Sequence, residues 1–304
     1  MYTSRRNFIK QSSLAMAATA LASTRSLFAA KTGQELVGLQ LYSVRDEMKS
    51  DPLGTMKQLA AMGYKHVEHA NYVDRKFYGY GAKEFKKVLD DLGMKMPSGH
   101  TILGGKHWDA SKKEFTDLWK YTVEDAAIAG QEFVISPALE KEHWKTGDDL
   151  KRFMEIFNKA GELCKKSGMK FGYHNHAFEF SEKLDGKVVY DIMLQNTDPE
   201  LVIQQLDIGN LYNGGAKAID IVTQYPGRFQ SMHVKDEIIS KEGNEKYEST
   251  VLGTGIVNVK EVIDLGRKSG GTKHFIVEQE SYQGKTPVAC MKENLEIMKK
   301  WGYK

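Results

Sequence analysis

The chain has 304 residues, 41% hydrophobic and 27% charged, which is enough to bury a sizeable core and excludes disordered or fibrous classes. Its formal charge of +3 is concentrated at one end: Arg5, Arg6, Lys10 and Arg25 fall in the first thirty residues, which hold no Asp or Glu, so setting those four charges aside takes +3 to −1. That balance excludes a broad electrostatic case for a nucleic-acid or anionic-membrane partner.

Ser4-Arg5-Arg6-Asn7-Phe8-Ile9-Lys10 resembles a twin-arginine export signal, and a weakly apolar stretch too short to span a bilayer follows at 14–22. An accidental Arg-Arg before a helix is the bland alternative; the flanking Ser, Phe and Lys fit the signal. Residues 1–30 are therefore set aside, with cleavage at Ala20-Leu21-Ala22 or near Ala29 and Ala30. The expectation is an exported, periplasmic protein with no stable membrane anchor. Disulfides are permitted there, but Cys164 and Cys290 lie in separate amphipathic patterns and read as buried small side chains.

From residue 31 onward, short apolar runs alternate with longer helical patterns. A strand over 36–43 precedes a helix over 52–62, opened by Pro52 and closed by Gly63. Strands follow at 65–70, 95–101 and 133–137, with helices at 82–92 and 113–129 between them. Asp148 is expected to cap the next helix, whose apolar positions Leu150, Phe153, Ile156, Phe157 and Leu163 recur at helical spacing. Strand five covers 170–176; a helix at 188–195, strand six at 201–207, a helix at 218–225 and strand seven at 229–234 come after it. A polar loop over 236–254 is expected before a helix at 259–269, strand eight at 274–280 and a closing helix at 287–301. Eight strand-helix units predict a single (β/α)8 TIM barrel, α/β class, over residues 31–304. An open doubly wound sheet is disfavoured, because no Gly-rich turn follows any strand.

In such a barrel the C-terminal strand ends form one face, so His174, Asp207, His233 and Glu278 converge from strands five to eight. Two imidazoles and two carboxylates suit one divalent manganese, cobalt, zinc or iron ion. Singly, each has a duller reading: a strand-end His is commonly just hydrogen-bonded, and a strand-end Asp commonly caps the next helix.

Tyr173-His174-Asn175-His176-Ala177-Phe178-Glu179-Phe180, Leu206-Asp207-Ile208-Gly209-Asn210, His233-Val234-Lys235-Asp236 and Val277-Glu278-Gln279-Glu280 resemble the xylose isomerase-like barrel superfamily, the sugar phosphate isomerase/epimerase group. The segments 38–46 and 63–68 match it as well. The resemblance implies one catalytic metal held by Glu, Asp, His and Glu from strands five to eight, the last three carried to Asp207, His233 and Glu278. Strand five departs from the pattern with His174, His176 or the later Glu179 in place of a glutamate. Inosose dehydratase-like enzymes and 3-keto-sugar lyases belong to the same subgroup.

A metal bridging a sugar carbonyl and its neighbouring hydroxyl lowers the cost of an enediolate, leaving the protein to supply a base. His176, Glu179, Lys235 and Glu280 are the candidates. His176 could equally be a ligand or a substrate support, and Lys235 could hold an oxyanion or pair with a structural carboxylate. Glu68 and His100 could reach substrate hydroxyls or make structural contacts. Trp108 and Trp144, with His143 nearby, could wall the pocket or only cover the rim. Gly253-Thr254-Gly255 reads as a turn in preference to a phosphate site. The leading expectation is a metal-dependent sugar or keto-sugar isomerase/epimerase. A lyase or dehydratase acting on keto-inositols or 3-keto-glycosides comes second, and a catalytically silent exported sugar-binding protein is the reading from another class. The partner is a small-molecule sugar or glycoside, self-association into a homo-oligomer stays open, and an apurinic-site endonuclease is disfavoured by the absence of basic excess.

Overall fold

The computed structural model describes residues 35–241 and 246–304. The expected leader at 1–30 lies outside them. Eight strands, β1 (Leu36–Gln40), β2 (His66–His69), β3 (Lys95–His100), β4 (Phe133–Ser136), β5 (Lys170–His174), β6 (Val202–Asp207), β7 (Ser231–Val234) and β8 (His274–Val277), pair in chain order. Every pairing is parallel, and β1 meets β8 in the register Leu36↔His274 to Leu39↔Val277, closing the barrel. One main helix follows each strand, α1 (Pro52–Met62), α2 (Ala82–Asp91), α3 (Asp117–Ala129), α4 (Gly147–Lys166), α5 (Val189–Gln195), α6 (Ala218–Gln224), α7 (Val259–Leu265) and α8 (Pro287–Lys300), beside shorter helices at Arg45–Ser50, Phe178–Ser181 and Ile208–Asn213. None of the described helices is long and apolar enough to cross a membrane.

The period of two along each strand separates the greasy layer from the chemical one. On β5, Phe171 and Tyr173 pack outward against Phe157 of α4, leaving Gly172 and His174 to the barrel interior. A Cβ on Gly172 would come within 2.9 Å of Ile203 and 3.1 Å of Ile135, so only glycine lets the three strands meet there. Phe133, Ile135 and Ile203 plug the lower interior. Above them the interior turns polar, with Gln40, Glu68, Ser98, Gln205, Ser231 and His233 all buried.

Several local expectations change. Thr146, and not Asp148, caps α4: its hydroxyl accepts the Asp149 amide at 3.1 Å while Asp149 reaches back to the Thr146 amide at 3.1 Å, and Asp148 lies inside the first turn. α3 begins at Asp117, because Trp108–Asp109 and Glu114–Phe115 pair as a short hairpin. The polar segment after β7 is an antiparallel ribbon, Asp236–Ile239 against Tyr247–Thr250, and α7 ends in one wider turn over Gly266–Gly270. Cys164 and Cys290 are free and buried.

Candidate active site

The sequence Leu206-Asp207-Ile208-Gly209-Asn210 ends β6 and starts a short helix, Ile208–Asn213, in consecutive residues, which gives Asp207 two tasks on two oxygens. Its Oδ1 accepts the Asn210 amide at 2.7 Å and caps that helix. Its Oδ2 is buried without any hydrogen-bond partner. The dull reading and the chemical one are both satisfied.

Four potential ligand atoms, one each from His174, Asp207, His233 and Glu278, lie within 4.8 Å of one another, and all four residues are buried. The His174 and His233 rings are 4.5 Å apart, Glu278 Oε2 is 3.0 Å from His233 Nδ1, and Asp207 Oδ2 is 3.9 Å from His174 Nε2. Burial alone would raise the carboxylate pKa values; nearby Lys235 and His233 instead hold Asp207 and Glu278 down to about 2. Burial, then the His233 and His100 charges, push His174 well below its ordinary value, so it is a neutral imidazole with a lone pair. His233 goes the other way: burial opposes the charge, but Glu278 and Glu68 carry it well above, so Nδ1 must shed a proton to act as a ligand.

Beneath the cluster, a polar network sets tautomers. Glu68, fully buried, accepts His233 Nε2 at 2.6 Å and Gln40 Nε2 at 2.8 Å on Oε1, and Ser98 Oγ at 2.5 Å and Gln205 Nε2 at 2.8 Å on Oε2. Burial would raise its pKa, but the imidazoles of His100 and His233 hold it well below the carboxylate range. An ionised carboxylate only accepts, so Nε2 of His233 carries the proton and Nδ1 faces Glu278. Gln205 spends its amide nitrogen on Glu68 and Ser231, so its oxygen accepts His174 Nδ1 at 3.1 Å and His100 Nε2 at 2.7 Å, turning His174 Nε2 toward Asp207. A second set, His100, His174 and His233, is as compact. Nε2 of His100 and Nε2 of His233 are both spent on this network, which favours the four-residue set.

Lys235 is buried with Nζ against Glu280, 3.2 Å from Asn210 Oδ1, 3.5 Å from Glu278 and 3.9 Å from Asp207. Burial disfavours its charge, but Asp207, Glu278 and Glu280 raise its pKa well above the ordinary value, so it stays an ammonium. A cavity of about 910 Å³ opens above the cluster, and His100, His174, His176, Asn210, Glu278 and Glu280 face it. His176 sits 5.2 Å from the His174 ring, and burial pushes its pKa down.

Seven sequence candidates do not line this cavity: Asp207, His233 and Lys235, placed above, and Glu68, Glu179, Trp108 and Trp144. Glu68 is sealed beneath the histidines and cannot touch a substrate hydroxyl. Glu179 is fully buried behind the cluster, accepting the Tyr173 hydroxyl at 2.5 Å and the His176 amide at 2.9 Å. Trp144 stacks on Phe178 and Trp108 packs edge-on against Phe115, because the loops after β3 and β4 fold their indoles into the helix layer. His143 likewise stacks on Phe153. The Gly253-Thr254-Gly255 turn is occupied from within: the Gly253 and Gly255 amides donate to Asp236 Oδ2 at 2.8 and 3.1 Å. Sequence reasoning missed Gln205, Ser98 and Gln40; the signal available was a polar residue two positions before a polar strand end, Ser98 before His100 and Gln205 before Asp207, and for Gln40 the polar end of an otherwise apolar strand. It also missed Asn175, whose side chain brackets the Asp207 backbone, accepting its amide at 2.9 Å and donating to its carbonyl at 3.2 Å.

Three similarities bear on this arrangement. An inosose dehydratase from Clostridium botulinum is 23% identical over 253 residues, 74% of this chain and 80% of the relative. The structure of a sugar phosphate isomerase/epimerase from Parabacteroides distasonis superposes with a TM-score of 0.74 at 27% identity, covering 89% of this chain and 95% of that one. The structure of the IolI protein with a bound zinc atom shares the fold at 12% identity and a TM-score of 0.67, covering 87% and 97%. Residues 56–301 match the family described as xylose isomerase-like TIM barrel, and with the closed eight-stranded barrel and polar strand ends this chain belongs to that family.

Proposed function

We propose that this protein is a divalent-metal-dependent lyase acting on a keto-sugar, keto-inositol or 3-keto-glycoside by removing the proton next to the carbonyl. The observation that carries the reading is the unpartnered, buried Oδ2 of Asp207 aimed among His174, His233 and Glu278. A buried carboxylate oxygen left without a donor costs about 1–3 kcal/mol, which a cation held by two carboxylates and two imidazoles removes. The zinc in the IolI structure agrees with a divalent ion on this fold. A bound ion would act as a Lewis acid toward the substrate carbonyl and its neighbouring hydroxyl.

The chain's own groups do the rest. His176 faces the cavity and accepts the α-proton. Lys235, kept charged and aimed by Asn210 and Glu280, stabilises the negative oxygen that develops. The carbon–carbon double bond forms between the α and β carbons as the β carbon–oxygen bond breaks, and the departing hydroxide or alkoxide takes back the proton held by His176 and leaves as water or an alcohol. Elimination needs one proton acceptor. Reversible epimerisation needs acceptors on both faces of one carbon, and here His174 stands on the strand where the family commonly has a second glutamate. The lyase reading is therefore preferred to the isomerase, and the relatives named inosose dehydratase support it. The isomerase/epimerase reading is favoured by the likeness to the Parabacteroides distasonis structure. Incubating the manganese- or zinc-loaded protein with an inosose, a 3-keto-glycoside and an aldose in deuterated water decides it. An unsaturated ketone absorbing in the ultraviolet is the expected product; carbon-bound deuterium with no such product favours the isomerase, and neither result removes the enzymatic reading. Residues 4–10 support export, tested by the retention of an Arg5→Lys, Arg6→Lys variant in the cytoplasm.

A further inference from the structure

Among the described residues, five of seven exposed large hydrophobic side chains, Tyr42, Val73, Ile102, Leu118 and Tyr121, line the mouth of the one cavity whose floor holds the histidine and carboxylate cluster. Apolar groups scattered singly over a surface need no explanation, but a collection around a polar site does. Two of them are built alike. Tyr121 is 41% exposed, with the Arg75 guanidinium 4.2 Å over its ring; Tyr42 is also 41% exposed, with the Arg45 guanidinium 4.8 Å over its ring. Each arginine covers its ring and is itself fixed. Arg75 binds Asp125 through Nε at 2.9 Å and Nη2 at 2.7 Å, and Glu124 at 2.8 Å. Arg45 donates to the Tyr282 hydroxyl at 3.1 Å. Tyr72, on the same mouth, donates to Asp125 at 2.6 Å, so the hairpin carrying Tyr72 and Arg75 is tied to α3 beside Tyr121.

We infer that the two arginine-backed tyrosines form an outer subsite for the second ring of a glycoside, whose keto-sugar ring occupies the floor. The inference rests on the proposed function for the identity of the floor. The cavity volume of about 910 Å³ is at the upper end for small-molecule sites and leaves room beyond one sugar ring. A flat ring, either the apolar face of a sugar or an aryl group, suits an aromatic surface pre-set by a guanidinium, and ordering it costs little because both tyrosines are already held. Asn71, Lys106 and Glu140 also line the cavity and supply hydrogen-bonding groups for hydroxyls. The departing group of the elimination would therefore be recognised as well as the ring that is opened to chemistry.

The test compares wild type with Tyr42→Ala, Tyr121→Ala, the double variant and the conservative Tyr121→Phe. KM is measured for an inosose, with one ring, and for 3-keto-cellobiose and phenyl 3-keto-β-glucoside, with two. Saturation-transfer NMR on unreactive phenyl β-glucoside and cellobiose reads the subsite without catalysis. The expected result is a KM rise of about 3- to 10-fold per lost ring for two-ring substrates only, unchanged kcat, restoration by Tyr121→Phe, and loss of saturation transfer to the second ring in the double variant. The phenyl and glucosyl probes show which kind of ring is preferred. Equal effects on one-ring and two-ring substrates, or undiminished saturation transfer in the double variant, overturn the subsite. Loss of transfer in the variants alongside no turnover of any keto substrate by wild type upholds the subsite and overturns the lyase.

Discussion

Glu68 fixes the cluster without belonging to it: its Oε1 orients His233 and its Oε2 anchors Gln205, which in turn orients His174. Such supporting carboxylates govern ligand basicity and ring angle. Glu68→Gln should weaken zinc or manganese binding by about 10- to 100-fold, measured by competition with a chelating dye, while the barrel stays folded by circular dichroism. Glu179 makes a different prediction. Burial is the largest influence on it and lifts its pKa from 4.5 to about 7. The native state then binds its proton more tightly than the unfolded chain, so its contribution to stability is greatest below pH 4.5, declines as pH rises through that window and is lost above about 7. Glu179→Gln should flatten that decline between pH 5 and 8 in urea titrations; an unchanged slope would assign the pH dependence to other groups.

At the scale of elements, the ribbon after β7 is organised by Asp236. Its carboxylate accepts the amides of Glu237, Gly253, Gly255 and Val257 at 2.8 to 3.3 Å, gathering the chain between the ribbon and α7. A Cβ on Gly255 would fall 2.2 Å from Asp236 Oδ1, so the glycine and the aspartate depend on each other. Asp236→Ala should cost about 1–3 kcal/mol, seen as a lower urea midpoint at unchanged slope, because several amides lose a buried acceptor together. The same ribbon carries Ser249, whose hydroxyl accepts the Glu280 amide at 2.7 Å, so loosening it should also lower turnover through Lys235 and Glu280.

For the whole molecule, the four candidate ligands come from four consecutive strands, β5 to β8, with Glu278 one residue past the last, so a bound ion would tie half the barrel mouth together. A ligand that binds only the folded state stabilises by about 2.7 kcal/mol at a hundredfold excess over Kd. Zinc or manganese should raise Tm by several degrees, a chelator should reverse the shift, and His233→Ala should show neither the shift nor turnover. Calorimetry of wild type and variant, with and without ion, checks this; a Tm shift retained in His233→Ala would place the ion elsewhere.

The alternation of apolar runs with helical patterns, the count of eight and the polar residue closing each of the last four strands were all legible in the sequence, because period, capping and strand-end position are local properties. Those properties sufficed to bring His174, Asp207, His233 and Glu278 together on paper. Depth and direction were not local. Glu68 and Glu179 look like free carboxylates in the sequence, yet packing seals both; Trp108 and Trp144 look like pocket walls, yet their loops turn them inward. The tyrosines that do wall the mouth, Tyr42 and Tyr121, lie 79 residues apart and are joined only by the closed barrel. Sequence determined which residues meet at the strand ends, since barrel closure follows from periodicity. Tertiary structure alone decided which of them face the cavity, since that depends on where the loops fold and what the interior leaves without a hydrogen-bond partner.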